Sequence, residues 1–375
     1  MNFNIKNLIQ KIPHSAKLAA AFVLLAKILV FGIGYAVTLL KNGPAPPLTI
    51  FMGMFNHWDA PHYIAIAENG YVNSGDAANL IVFFPLYPAL IRLFTFNFSY
   101  INLSALAVSN GCSLIAFLYL YKLAKLEFTS SVAVKAVLFL SVFPTAYFLS
   151  VPYTEGLFFA LVIASIYCTR LGKWQIAGSL SLLAALTRFA GLLLLPVLLV
   201  EYFHQKGWKP RKADFKVLWA LLPLVGFLIY LGINYQVTGN PLTFLTVEST
   251  HWYNRIDPLT GLTSAYGWAK NATYPSNITY GLAPLIFAFF GLFMIGVSFW
   301  RRMRPVYIVY MFLSWALAIS TSWWISVPRY VMAMFPMFML FGLITNKKAV
   351  LAITMVSVAV LCYFTVFFAL SWWAF

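Results

Sequence analysis

KLAAAFVLLAKILVFGIGYAVTLL, residues 17–40, is the stretch that decides the fold. A hydrocarbon layer about 30 Å thick needs about 20 apolar residues in helical form, and this run supplies them with a single charge in its interior, Lys27. It is too long for a signal-peptide core and lacks a small-residue cleavage site, so it is expected to remain as a first membrane span. Comparable runs recur near 101–121, 133–150, 155–170, 174–187, 189–203, 216–237, 281–300, 305–325, 330–345 and 349–370. The expected fold is therefore an all-α polytopic membrane protein of about eleven transmembrane helices, residues 1–375 forming one transmembrane domain with no separate soluble part.

Composition agrees with this reading. Apolar residues make up 62% of the chain and charged residues 9%, and the mean hydropathy is +0.83, values foreign to a water-soluble globule. A formal charge of +16 would suggest nucleic acid as the partner of a soluble protein. In a membrane chain the basic residues must first be sorted by loop. Lys6, Lys11, the cluster 206–216, Arg301, Arg302, Arg304, Lys347 and Lys348 fall on one side of the alternating spans. By the positive-inside rule that side is cytoplasmic, which puts the N-terminus inside, the C-terminus outside and no nucleic acid among the partners.

Most of the nine acidic residues fall on the other side, as Asp59, Glu68, Asp76, Glu155, Glu248 and Asp257. Ionisable groups at a bilayer tend to serve a site, so the outer face is where chemistry is expected. Arg188 lies between the short runs 174–187 and 189–203. These form either two short tilted spans meeting at the outer side or one span that buries the arginine, and both arrangements give Arg188 an anionic partner. Cys112, Cys168 and Cys362 share no metal or redox spacing and read as packing residues.

The first outer loop, residues 41–100, contains FNHWDAPHYIAIAENGY (55–71) and FFPLYP (83–88). Asp59 precedes Ala60 and Pro61, the order expected of a carboxylate that caps a helix running to Asn69 and ending at Gly70. That helix, and a second one after Pro88, are expected to lie along the membrane interface. A carboxylate held at a helix start beside water can also take a proton from an acceptor hydroxyl, so capping and general-base catalysis are compatible for Asp59. His57, Asp59 and His62 include metal-ligand types, but their spacing straddles a helix start and offers no pair on one helix face. No metal is expected, and the two histidines read as cavity lining. A second large outer loop spans 238–280 and carries HWYNRID (251–257), in which Arg255 lies between His251 and Asp257. Local ion pairing within that loop is one reading of Arg255.

The first-loop motif, together with Pro152-Tyr153-Thr154-Glu155-Gly156, Thr187-Arg188-Phe189-Ala190-Gly191 and Pro328-Arg329-Tyr330, resembles the PIG-V family of mannosyltransferases, GPI mannosyltransferase 2 and its prokaryotic relatives. His57 and Phe189-Ala190 depart from the Arg-Trp-Asp and Arg-Ser-Asn-Gly versions frequent in that family.

The resemblance implies the GT-C superfamily fold and a polyprenyl (dolichyl-type) phosphate sugar as donor, with no further cofactor. It also implies inverting transfer, with mannose favoured over arabinose or glucose, to a hydroxyl of a lipid-linked or glycolipid acceptor, or of a protein, on the non-cytoplasmic face. Asp59 aligns with the catalytic first-loop aspartate. A departing lipid phosphate needs positive charge around it, which Arg329, Arg188 and Arg255 could supply. His57, Trp58, His62, Tyr87, Glu155, His251 and Tyr330 are the residues expected to line the substrate sites. The chain is expected to act alone, in a prokaryotic plasma membrane. A lipid-linked sugar flippase is the competing class, disfavoured because Lys27 is the lone charge near mid-membrane.

Overall fold

The computed structural model describes residues 13–375, so Lys6 and Lys11, assigned to the inner side by sequence, lie outside the described residues. In chain order the helices are α1 (His14–Asn42), α2 (Pro47–Gly53), α3 (Asp59–Asn69), α4 (Leu86–Phe94), α5 (Ile101–Glu127), α6 (Ser130–Ser141), α7 (Glu155–Arg170) and α8 (Trp174–Ala185). They continue with α9 (Leu194–Gln205), α10 (Leu222–Thr238), α11 (Thr243–Thr250), α12 (Pro258–Asn271), α13 (Ala283–Trp300), α14 (Pro305–Ile319), α15 (Val327–Met332), α16 (Pro336–Gly342) and α17 (Lys347–Ala369). There is no strand among the described residues, only an isolated bridge between Ile256 and Thr321.

Among the described residues five helical stretches are long and apolar enough to cross a bilayer: His14–Asn42, Phe98–Glu127, Phe215–Thr238, Asn277–Trp300 and Lys347–Ala369. Their outward surfaces carry exposed Leu25, Leu228, Phe289, Phe293 and Val356, side chains that only lipid would solvate favourably. Two bent pairs raise the count to seven if each is one span: Asp76–Val82 with Leu86–Phe94, bent by 111°, and Trp324–Met332 with Pro336–Gly342, bent by 59°. Shorter apolar helices cover Ser130–Ser141, Trp174–Ala185, Phe189–Gln205 and Pro305–Ile319.

Several expected runs are interrupted, and the interruptions have causes. The run 330–345 breaks at Pro336, which has no N–H to continue the ladder. The run 133–150 ends its α-helix at Ser141, three residues before Pro144, and resumes as the 3₁₀ turn Ala146–Leu149. Residues 174–203 form two arms. Trp174, at the start of α8, packs edge-on against Tyr202 near the end of α9, with ring centroids 5.2 Å apart. Arg188 at the join is extended, so it occupies the tip of a hairpin. Gly191 permits this tip, because a Cβ there would fall 2.3 Å from the Ala184 carbonyl carbon.

The core is the bundle α1, α5, α6 and α7 with α14–α17 closing it. Helices α5 and α7 approach so closely that a Cβ on Gly156 would lie 2.4 Å from the Ser109 carbonyl oxygen. This contact seats the first residue of α7, Glu155, deep in the protein. Lys27 of α1 donates from mid-helix to the Asn110 side chain at 2.7 Å and the Leu149 carbonyl at 3.0 Å. It thereby ties the turn leading to Glu155 into the bundle.

Candidate active site

Asp59 is the first residue of α3, and the expected side-chain cap does not form. The capping position belongs to Trp58, and the Asp59 carboxylate turns away from its own helix. Trp58 adopts φ 58°, ψ −111°, a conformation unfavourable for an L-residue and one that persists where neighbours impose it. Tyr153 is such a neighbour: its hydroxyl accepts from the Asp59 N–H at 3.0 Å and donates to the His57 carbonyl at 3.1 Å. One buried tyrosine thus clamps both sides of the strained residue. The helix does end as expected, at Asn69 with Gly70 as cap at φ 73°.

With its own helix left uncapped, the Asp59 carboxylate reaches across the bundle. Its Oδ2 accepts from Arg329 Nη1 at 2.8 Å, and its side chain retains 26% exposure. Among the described residues Oδ1 takes no protein hydrogen bond. Arg329 itself is buried. Its Nε is bound to Glu155 Oε1, which also receives Arg188 Nη1. The guanidinium of Arg329 lies between two aromatic faces, 4.8 Å from the centroids of both Phe148 and Tyr153, a favourable seat for a desolvated cation. Arg188 also donates to Thr154 Oγ1 at 3.3 Å and stands 5.5 Å over the Tyr330 ring. The result is a chain of alternating charge, Asp59–Arg329–Glu155–Arg188. Glu155 Oε2 is buried with no partner, so the cluster has unspent acceptor capacity at two oxygens.

The other expected residues divide by geometry. His62 packs against Phe83 and Trp252, at 5.2 and 5.6 Å between centroids, and His57 Nδ1 lies 3.2 Å from Ser371 Oγ. Burial lowers the basicity of both; Lys41 lowers His57 further, whereas Asp59 partly offsets the effect at His62. Trp58 meets Trp373 edge-on at 5.0 Å, and His251 meets Trp252 edge-on at 5.1 Å. Tyr87 departs from expectation: it is fully buried, with its hydroxyl donated to the Ala105 carbonyl at 3.0 Å, so it packs α4 onto α5 and touches no open space. The second loop helix, α4, begins at Leu86, two residues before Pro88. Arg255 makes no ion pair with Asp257; its Nε donates to the Ser249 carbonyl at 3.3 Å, and the rest of the exposed guanidinium is free among the described residues. Asp257 caps α12 through the Thr260 N–H at 3.0 Å.

Three participants were given no individual role by sequence reasoning. Tyr153 and Phe148 flank Arg329, and an aromatic at a span boundary gives no hint of that role because the interfacial belt explains it equally well. Glu248 on α11 receives the Asn254 amide at 3.1 Å, and burial, reinforced by Asp59, pushes its carboxyl up while Asn254 opposes the shift. Its signal was scarcity alone, one acid among nine. No group of three or more His, Cys, Asp or Glu among the described residues is arranged to hold a metal ion.

The four stretches that meet here, from the first loop, the start of α7, the α8–α9 tip and the start of α15, are the ones whose sequence carried a family resemblance. No curated protein matches the chain. The family model described as Mannosyltransferase (PIG-V) matches residues 48–245, more than half of the chain, and takes in Asp59, Glu155 and Arg188. The protein belongs to the PIG-V mannosyltransferase family and is an integral membrane glycosyltransferase.

Proposed function

We propose that this enzyme catalyses inverting transfer of mannose from a polyprenyl-phosphate donor to a hydroxyl of a lipid-linked or glycolipid acceptor. The reaction takes place on the non-cytoplasmic face of a prokaryotic plasma membrane, in a GT-C bundle of about eleven crossings that acts as a monomer and without a metal. The distribution of basic residues supports an outer side for Asp59 and most of the acids, and the short helices α6, α8, α9 and α14 are counted as crossings in that total.

The observation that carries the reading is Asp59: a half-buried carboxylate with one oxygen fixed by Arg329 and the other unoccupied. Arg329 holds the carboxylate in one orientation. The free Oδ1 takes the proton of an acceptor hydroxyl as that oxygen attacks the anomeric carbon. The bond to the lipid phosphate breaks on the opposite face, and the phosphate departs as an anion, so positive charge rather than a general acid is required. Arg329 is committed to two carboxylates, which makes it the positioning residue for Asp59. Arg188, with its outward edge exposed, and Arg255, exposed on its loop, are the cations left to meet the phosphate. Trp58, Trp252, His62, His251 and Tyr330 line the approach. A flippase has less support, because Lys27 is committed to Asn110 and Leu149.

The test is transfer of radiolabelled mannose from polyprenyl-phosphate mannose to a pool of lipid acceptors by purified wild type and Asp59→Asn at equal folded yield. Loss of a base should lower the rate by about 10²–10⁴. Equal rates would remove Asp59 from the chemistry, and no transfer by the wild type with any acceptor would overturn the donor assignment.

A further inference from the structure

We infer that the end of the bundle opposite Asp59 carries a binding site for the phosphate of an anionic phospholipid headgroup. There the turn that follows α13, the start of α14, the end of α5 and His204 of α9 line a cavity of about 380 Å³. It lies about one α7 length from the reaction site, about 22 Å away at 1.5 Å per residue, and its argument is independent of what Asp59 does.

The charge balance of this end points to an anion. Three of the nine acidic residues lie here, and each is already matched. Glu127 is paired to Arg170 at 2.5 Å and receives the Tyr307 hydroxyl at 2.6 Å. Glu201 is held by Arg304 at 2.7 Å, and Asp214 by Lys206 at 2.8 Å. Residues 1–12 contain no Asp or Glu. Arg301 and Arg302, both on the cavity wall, are therefore left without a carboxylate, and the Glu127 that shares the wall is neutralised by its own partners. His204 contributes a buried Nδ1 that has no hydrogen-bond partner.

The backbone gives a second, separate indication. Arg302 sits at φ 51°, in the turn that closes α13: its N–H donates to the Phe299 carbonyl at 2.9 Å and the Met303 N–H to the Ser298 carbonyl at 3.0 Å. This is the Schellman arrangement, in which glycine is the favoured residue at the left-handed position. An arginine held there against backbone preference is the kind of outlier that marks a functional demand. Arg301, alongside, lies 4.8 Å over the Trp300 ring, which orients its guanidinium. Two guanidinium groups free of carboxylates, one of them oriented by the Trp300 ring, beside a roomy cavity at a membrane surface match the bidentate demands of a phosphodiester.

The experiment uses the full chain in detergent with short-chain phosphatidylglycerol, short-chain phosphatidylcholine and inorganic phosphate as separate probes, reading bound lipid by native mass spectrometry and the thermal midpoint. Wild type should retain phosphatidylglycerol at least tenfold better than phosphatidylcholine. Arg302→Gly should fold at least as well, because it relieves the turn, yet lose most of that preference, as should Arg301→Gln. Lys347→Gln, on the same side but off the cavity wall, should retain it. Equal binding of the two lipids, an unchanged preference in Arg302→Gly with Arg301→Gln combined, or an equal loss in Lys347→Gln would each overturn the site. Protection by inorganic phosphate without retention of phosphatidylglycerol would overturn the lipid assignment in favour of a soluble phosphate.

Discussion

Two clusters of the same composition, each with two carboxylates and two arginines, sit at opposite ends of α7. At one end Glu127 and Glu201 meet Arg170 and Arg304; at the other Asp59 and Glu155 meet Arg329 and Arg188. The first leaves no buried acceptor unpaired. Glu201 has no exposed side-chain surface and takes bonds from Arg304, Arg170 and Gln205, and Glu127 is shared by Arg170 and Tyr307. The second leaves Asp59 Oδ1 open and Glu155 Oε2 orphaned in the interior. Since buried polar groups are paired in nearly all native structures, an unfilled acceptor is informative. Equal charge counts thus conceal a structural lock at one end and a poised site at the other.

The comparison breaks most visibly at Asp59 and Glu201. Asp59→Asn should lower transfer by about 10²–10⁴ while leaving the thermal midpoint nearly unmoved, because the amide oxygen still accepts from Arg329. Glu201→Ala should do the reverse, destabilising by about 3–5 kcal/mol as two half-buried arginines lose their shared buried partner, with the activity of the folded fraction preserved. Activity loss in the second variant, or unfolding in the first, would erase the distinction between lock and site.

Arg329→Lys sharpens it. A lysine keeps the charge but cannot reach two carboxylates in a fixed fork, so turnover should fall by about 10²-fold with the donor KM little changed. A large rise in donor KM with turnover intact would instead make Arg329 the phosphate clamp. Arg255→Ala should show that KM pattern on a smaller scale, with a stability change under about 1 kcal/mol; an unaltered KM would remove Arg255 from donor binding.

The smallest effect is expected from pH. His57 and His62 have folded values below the ordinary 6.5, so the unfolded chain binds protons first and stability rises with pH through that window. Stability should be full above about pH 6.5 and drain away as pH falls through the lower folded values. The double variant His57→Gln, His62→Gln should flatten this slope in a denaturation series, and an unchanged slope would show that other groups cause it.

The long apolar runs were legible because hydropathy reports directly on burial in lipid, and 349–370 and 155–170 come close to α17 and α7. Runs holding Pro144 or Pro336 were read as unbroken because their side-chain pattern continues while the backbone does not. At the site, Asp59, Glu155, Arg188 and Arg329 were each singled out as rare charges at outer boundaries. Their mutual pairing was invisible, since nothing local links positions 59 and 329. For the same reason Asp59 was expected to cap its own helix: local spacing favoured that, and a distant guanidinium won the carboxylate instead. Tyr87 was misjudged because motif membership says nothing about which way a ring points.

Arg329 follows Asp59 by 270 positions, and that interval is also a delay. At about 5–20 residues per second of synthesis, roughly 15 to 50 seconds separate the emergence of the two residues. Through that interval Asp59 has no guanidinium to hold it, and Glu155 has Arg188 for only part of it. A nascent chain that has not yet exposed Arg329 therefore lacks the ion-paired cluster, which is complete only when α15 packs beside helices made long before.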